Sequence, residues 1–98
     1  MDNFTIIYKI LSAIEKSMDY EIFDREMISA KTLGISETRL SNTLKMLIDE
    51  EYVKGIVVKE TGQGEYIQFT DNIRLTIKGL EYLSENSMMK KHIMLSKE

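Results

Sequence analysis

The chain contains no cysteine and no proline, and it has one histidine. The lack of cysteine excludes disulfides, thiolate metal sites and cysteine nucleophiles, and it predicts a cytoplasmic protein. Without proline, composition marks no domain boundary, and 98 residues suit one domain with one core. No apolar run approaches the length of a membrane span, and the N-terminus lacks a charged-then-apolar signal pattern. We therefore expect no membrane partner.

Residues that carry catalysis or bind metals are also scarce. The one histidine, His92, has no carboxylate or hydroxyl at a spacing that would bring the two together. Gly62-Gln63-Gly64 lacks the strand-to-helix context of a phosphate-binding loop, and no residues show metal-ligand spacing. The sequence therefore predicts that the protein is not an enzyme and holds neither a cofactor nor a metal.

Positive charge is in the minority. The 13 Lys and Arg residues are outnumbered by 16 Asp and Glu residues, which gives a net charge of −3. This balance counts against nucleic acid as a partner, because affinity for DNA comes largely from neutralised phosphates. It does not exclude DNA, since the charge that matters is the charge on the contacting face.

The first helix is predicted over residues 4–17 and is apolar around most of its circumference. One stripe recurs at helical spacing, and a second lies beside it, formed by Phe4, Ile7, Leu11 and Ile14 and by Ile6, Ile10 and Ala13. A helix of this kind must be covered on two sides. The second cover would be the C-terminal tail or another copy of the protein, so we expect a homodimer through helix one and the tail.

A one-glycine corner is the most informative feature of the chain. Tyr20–Phe23 suggests a short strand with Ile22 or Phe23 buried, and Asp24 is placed to cap a brief second helix that directs Ile28 and Leu33 inward. Gly34 would stop that helix in the left-handed conformation, and Ser36 would cap the next one. Helix three is predicted from Glu37 to about Glu51, with its buried residues being Leu40, Leu44, Leu47 and Ile48. Two helices joined by such a corner indicate a helix-turn-helix.

After helix three, the spacing of the apolar residues changes from that of a helix to the alternation of a strand. Residues 52–59 are rich in β-branched side chains, and residues 65–70 alternate polar and apolar. Between them, residues 61–64 contain the two glycines of a hairpin tip. Asp71-Asn72 indicates a second turn.

The remaining elements complete the predicted fold. Thr76 is placed to cap a fourth helix, whose apolar residues are Ile77, Leu80 and Leu83, and Gly79 is expected to allow that helix close packing on the hairpin. A last amphipathic helix follows, with Met88, Met89, Ile93 and Leu95. The whole is an α+β fold, mainly α: a winged helix-turn-helix with a three-helix core, a short β-hairpin wing, a fourth helix and a C-terminal helical tail. We assign residues 1–86 to the winged-helix domain and 87–98 to the tail, packed on helix one or on a partner subunit.

Helix three is the candidate recognition helix, because the major groove of DNA admits one α-helix. Its outward face carries Thr38, Arg39, Ser41, Asn42 and Lys45. Arg39 and Asn42 suit guanine and adenine edges, and the other three suit phosphates.

The hairpin is the candidate wing. Lys59 and Gln63 are its predicted DNA contacts, although Glu60 and Glu65 dilute its positive charge. The alternative for both elements is an ordinary solvated surface. Acidic residues on and just after helix three favour that alternative, since they outnumber Arg39 and Lys45; they are Glu37, Asp49, Glu50 and Glu51.

Three segments resemble the YjcQ-type family: Leu33–Ser36, Leu47–Gly55 and Leu75–Lys91. The resemblance covers nearly the whole chain and is densest in its last third. It implies a winged-helix fold and an association with bacteriophages and prophages of Gram-positive bacteria. It implies no catalytic residues, because the family has no established activity to transfer.

Two hypotheses about function follow. The first is a small winged-helix DNA-binding protein, a phage-type transcriptional regulator or accessory factor that binds duplex DNA. The second is a protein-interaction module in which the winged helix is only a scaffold, and in which the acidic third helix or the methionine-rich tail docks a phage or host protein. Like-signed surfaces repel phosphate, so a negative face on helix three would favour the second.

Overall fold

A computed structural model describes residues 2–86, in which four α-helices and a two-stranded antiparallel sheet enclose the core. The helices are α1 (Asn3–Lys16), α2 (Ala30–Leu33), α3 (Glu37–Asp49) and α4 (Ile77–Glu85). The strands are β1 (Val53–Thr61) and β2 (Gly64–Leu75), and 3₁₀ turns at Ser17–Asp19 and Arg25–Ile28 connect α1 to α2. This arrangement confirms the predicted fold class and is that of a winged helix.

The centre of the core is α1. Its side chains Ile6, Ile10, Leu11 and Ile14 are completely buried. Because α3, α4 and β2 all contact α1, this chain's own elements supply the second cover that the sequence assigned to the tail or a second copy. Phe4 does not follow the stripe, since it is 63 % exposed. Periodicity identifies the apolar face of a helix but not where along its length the neighbouring elements end.

The second helix is divided into two pieces. Asp24 caps the 3₁₀ turn, its carboxylate accepting a hydrogen bond from the Glu26 amide at 3.0 Å. The hydroxyl of Ser29 then caps α2, accepting from the Thr32 amide at 3.1 Å. Asp24 is therefore a cap, as predicted, but of the 3₁₀ turn and not of the helix. Ile28 and Leu33 are both buried, which confirms the predicted inward face.

The corner between α2 and α3 has the predicted geometry. Gly34 lies in the left-handed region, with φ 71° and ψ 35°. Its amide donates to the Lys31 carbonyl at 3.2 Å, and the Ile35 amide donates to the Ala30 carbonyl at 3.0 Å. These two bonds satisfy carbonyls at the end of α2, so the chain reverses there without losing backbone hydrogen bonds.

Helix α3 ends at Asp49, earlier than predicted, and buries Leu40, Leu44 and Leu47. Ile48 is only half-buried, whereas the polar Thr43 is buried. Its hydroxyl donates to the Arg39 carbonyl at 2.8 Å, and that bond offsets the cost of burying it.

The predicted strand at Tyr20–Phe23 is wrong. Only β1 and β2 form a sheet within the described residues, and the chain bends at Tyr20–Ile22. A groove of about 620 Å³ lies between this segment and the bulged part of β2, and its walls include residues of both. Ile22 is 82 % exposed, and Phe23 is the residue of the two that packs against the core.

The hairpin has the predicted tip at Gly62-Gln63, where Thr61 pairs with Gly64. The predicted turn at Asp71-Asn72 is instead a bulge inside β2, since the register shifts opposite Gly55. A Cβ on Gly55 would lie 2.2 Å from the Asn72 carbonyl oxygen, so a glycine is required for the bulge to close on β1.

Helix α4 docks through its glycine. Thr76 caps it as predicted, its hydroxyl accepting from the Gly79 amide at 3.0 Å. A Cβ on Gly79 would lie 2.3 Å from the Tyr52 carbonyl oxygen, which confirms close packing on the start of the hairpin. Ile77 and Leu80 are exposed, because the docked face is that of Gly79, Tyr82 and Leu83.

The predicted tail helix, residues 87–98, lies outside the described residues, so its packing and the domain division stay predictions. None of the helices within residues 2–86 has the length and apolar character that a membrane span requires. In the same part of the chain, no three acidic, histidine or cysteine side chains are grouped as a metal site would need.

Candidate nucleic-acid interface

A shallow groove lies where the start of α1 meets the outward face of α3. Its volume is about 440 Å³, and its lining residues are Asn3, Ser36, Thr38, Arg39, Asn42, Thr43 and Met46. The structure therefore brings together three of the predicted contact residues, Thr38, Arg39 and Asn42. All three are exposed, and Thr38 and Asn42 are one helical turn apart on the same face.

The backbone beneath this groove is fixed by two side chains. The Ser36 hydroxyl accepts from the Arg39 amide at 3.0 Å and so caps the first turn of α3. The buried Thr43 hydroxyl donates to the Arg39 carbonyl one turn later. Both polar backbone atoms of Arg39 thus contact side chains, and the base of its side chain has a defined position.

The far end of the Arg39 side chain reaches across to α1. Its Nη2 donates to Asn3 Oδ1 at 2.8 Å, a contact between residues 36 positions apart. Because Asn3 is neutral, the guanidinium keeps its full charge, and no carboxylate of residues 2–86 is within ion-pairing distance of it.

The start of α1 is itself held in place. The Asp2 carboxylate accepts from the Thr5 amide at 2.8 Å, and this hydrogen bond holds the pKa of Asp2 below its ordinary value. Asn3 is the next residue, so the partner of Arg39 belongs to a capped helix end.

Lys45 faces a different neighbour. Its Nζ lies 2.8 Å from Glu65 Oε1, at the start of β2. The ion pair neutralises Lys45 and ties the middle of α3 to the wing. Ser41, one turn earlier, is half-buried and does not line the groove, so the predicted contact set divides into a groove side and a wing side.

The wing places both predicted contacts in solvent. Lys59 is exposed on β1 and lies in register with Tyr66, which is also exposed. Gln63 is exposed at the tip, where its backbone N–H donates to the Thr61 hydroxyl at 3.1 Å. Neither lies in the groove beside α3, so any DNA contact from the wing would be separate from it.

Comparison with known proteins gives the family. The family model for the YjcQ protein matches residues 8–98, which is most of the chain. The chain belongs to the YjcQ family. Searches of curated proteins and of solved structures each returned no match.

Two residues of this YjcQ chain were missed by sequence reasoning and shape the candidate interface. Asn3 and Glu65 are the partners of Arg39 and Lys45, and each comes from another element, 36 and 20 positions away. No local pattern could have indicated them, because only the packing of α1 and the wing against α3 creates these contacts.

A third feature depends on the pairing of the two strands and could not be read from the sequence. The register of the sheet sets Lys54 directly opposite Arg74, and both side chains are exposed. Neither has a carboxylate partner within the described part of the chain. Two like charges at facing positions of a sheet repel each other, so the base of the wing carries an uncompensated positive pair.

Proposed function

We propose that this chain is a small DNA-binding protein that places α3 in the major groove. The observation that supports this best is the groove at the start of α3, where an arginine without a carboxylate partner among residues 2–86, an asparagine and a threonine are exposed together. Arg39 would read guanine, Asn42 would read adenine, and Thr38 would bind phosphate. Ser41 and Lys45 would add phosphate contacts on the wing side, with Lys59 and Gln63 from the wing itself.

The distribution of charge favours contact through the first two turns of α3. Arg39 has a neutral partner and keeps its charge, whereas Lys45 is neutralised by Glu65. Asp49 follows Asn42 by seven residues, which corresponds to about 10 Å along a helix at 1.5 Å per residue. A duplex that approaches the N-terminal half of α3 would meet Arg39 together with one carboxylate, that of Glu37, and would stay away from the acidic residues 49–51 at the other end.

The biological role that we propose is that of a phage- or prophage-type transcriptional regulator or accessory factor, without enzymatic activity. Membership of the YjcQ family is consistent with this role. We further propose a homodimer through α1 and the C-terminal tail. Since α1 is already covered by its own chain, a dimer would depend mainly on exposed residues such as Phe4 and on the tail.

A second candidate function is a protein-interaction module. It is favoured by an exposed apolar segment after α1, where Met18, Tyr20 and Ile22 are all more than half exposed. Where such side chains form one contiguous patch, they are typical of a surface that contacts another protein. The partner would be a phage or host protein, and α3 would then have no role in reading DNA.

The test is duplex binding measured by fluorescence anisotropy over a salt series. We expect binding at low ionic strength that weakens steeply with salt. Arg39→Ala should cost about 1–3 kcal/mol at a site where Arg39 reads a base. Lys16→Ala is the matched control, because it removes one exposed positive charge about 20 Å from Asn3 along α1, at 1.5 Å per residue. If the wild-type protein binds no duplex at low salt, the DNA-binding proposal is wrong.

A further inference from the structure

The ion pair between Lys45 and Glu65 crosses from the candidate recognition helix to the wing, and both members remain accessible. Their side chains are 34 % and 45 % exposed, and Nζ and Oε1 are 2.8 Å apart. Exposed pairs of this kind contribute little to stability, so the pair can open without unfolding the protein. While the pair is closed, however, only Arg39 of the two cationic side chains on the outward face of α3 lacks a carboxylate partner in the described part of the chain.

Glu65 has a second acidic residue beside it. The sheet register places Glu65 directly opposite Glu60, and facing residues of an antiparallel pair project from the same side of the sheet. Two carboxylates at such positions repel each other. Lys45 relieves that repulsion by pairing with Glu65. The repulsion from Glu60 therefore favours the ion pair between Glu65 and Lys45 in the free protein.

We propose that Glu65 is a built-in competitor for the DNA backbone at Lys45. In the free protein its carboxylate takes the position of a phosphate on the Lys45 ammonium. In the complex Lys45 exchanges Glu65 for a phosphate of the duplex, and α3 gains a second cation at the DNA. This regulation of affinity rests on the proposed DNA-binding function, and it makes Glu65 a residue that limits binding.

The size of the effect follows from the cost of opening the ion pair. Breaking an exposed pair of this kind changes an equilibrium constant by a factor of about 1.5 to 5. The wild-type complex also makes the phosphate contact of Lys45, so only this cost is removed when Glu65 is replaced. Glu65→Gln removes the competing charge, keeps the size of the side chain, and leaves Lys45 free for a phosphate.

The experiment measures duplex affinity over a salt series for the wild-type protein and three variants. Glu65→Gln should bind about 1.5- to 5-fold more tightly at about 0.1 M salt, and this gain should shrink as salt is raised, because salt screens the ion pair that the wild type has to open. Glu60→Gln is the matched control, because it removes the same charge from the facing position but has no lysine or arginine partner within residues 2–86. It should change affinity much less and leave the slope unaltered. The double variant Lys45→Met with Glu65→Gln should lose the gain, since the gain requires Lys45.

Three results would overturn the proposal while leaving the DNA-binding function intact: equal gains for Glu60→Gln and Glu65→Gln, a gain that persists without Lys45, or weaker binding by Glu65→Gln. Absence of duplex binding by the wild-type protein and all variants would instead refute the proposed function, and this proposal with it. Thermal unfolding of each variant separates these outcomes from loss of the fold.

Discussion

The same helix-ending motif occurs twice in this protein, once with glycine and once with glutamate. After α2, Gly34 has φ 71°, and after α3, Glu51 has φ 60°. At the second site the Glu51 amide donates to the Ile48 carbonyl, and the Tyr52 amide donates to the Leu47 carbonyl, both at 3.0 Å. Glu51 is therefore held in the left-handed region by the hydrogen bonds that end α3, and we predict that Glu51→Gly stabilises the protein.

The expected magnitude comes from two opposing effects. For a residue with a Cβ, the left-handed conformation costs about 1–2 kcal/mol. Glycine avoids that cost but loses about 0.5–1 kcal/mol through the greater freedom of its unfolded chain. Glu51→Gly should therefore raise the free energy of unfolding by about 0.5–1 kcal/mol. Gly34→Ala is the opposite replacement, of glycine by a residue with a Cβ, and it should lower the free energy of unfolding by about 1 kcal/mol. A Cβ at this position meets no atom within 4 Å, so only the backbone strain contributes.

Thermal and urea unfolding would measure both changes. For a chain of this length, 1 kcal/mol shifts Tm by about 4–8 °C. Glu51→Ala is the control, because it removes the same carboxylate but keeps a Cβ in the strained conformation, and its stability should stay close to that of the wild type. If Glu51→Gly proves less stable than Glu51→Ala, the backbone argument is refuted.

Two further predictions concern the docking of α4. Gly79→Ala should destabilise the protein by about 1–3 kcal/mol in urea unfolding, because the new methyl would lie 2.3 Å from the Tyr52 carbonyl oxygen. Glycine-to-alanine changes inside helices normally stabilise, so a gain would contradict the close packing. Burial, with the neighbouring Tyr52 adding to it, raises the pKa of Tyr82 above its ordinary value of 10.0. The unfolded chain therefore loses this proton first, and the free energy of unfolding should fall as pH rises above 10.0. Tyr82→Phe should reduce that fall while the exposed-site control Tyr66→Phe keeps it, and equal pH profiles for the two variants would show that Tyr82 does not cause it.

Features set by neighbouring residues were predictable from the sequence. The Gly34 corner, the Ser36 cap, the Thr76 cap and the hairpin tip all depend on residues within a few positions of one another, and the structure has each of them. Local hydrogen bonds and the conformational freedom of glycine are properties of short segments, so these predictions needed no knowledge of the whole fold.

Features that depend on distant packing were not predictable. Tyr20–Phe23 has the composition of a strand, but a strand needs a partner, and within the described residues β2 pairs with β1 and not with this segment. Exposure of Ile77 follows from the docking of α4 through Gly79, which fixes the rotation of the helix.

In the candidate interface, too, features set by local spacing were predictable and features set by distant packing were not. The sequence placed Thr38, Arg39 and Asn42 on one outward face, because helical spacing alone determines that. It could not show that Arg39 would bind a neutral residue of α1 and Lys45 an acidic residue of the wing. Those partners decide how much positive charge α3 offers, and that charge is what distinguishes a DNA-binding face from an ordinary helix surface.

The most direct test of DNA binding through α3 is an NMR titration of the ¹⁵N-labelled protein with a short duplex at low salt. The DNA-binding account predicts that amide shifts concentrate at Thr38, Arg39 and Asn42, with weaker shifts at Lys59 and Gln63, and that they disappear when salt is raised. Shifts confined to the segment around Ile22, or no shifts at all, would contradict it.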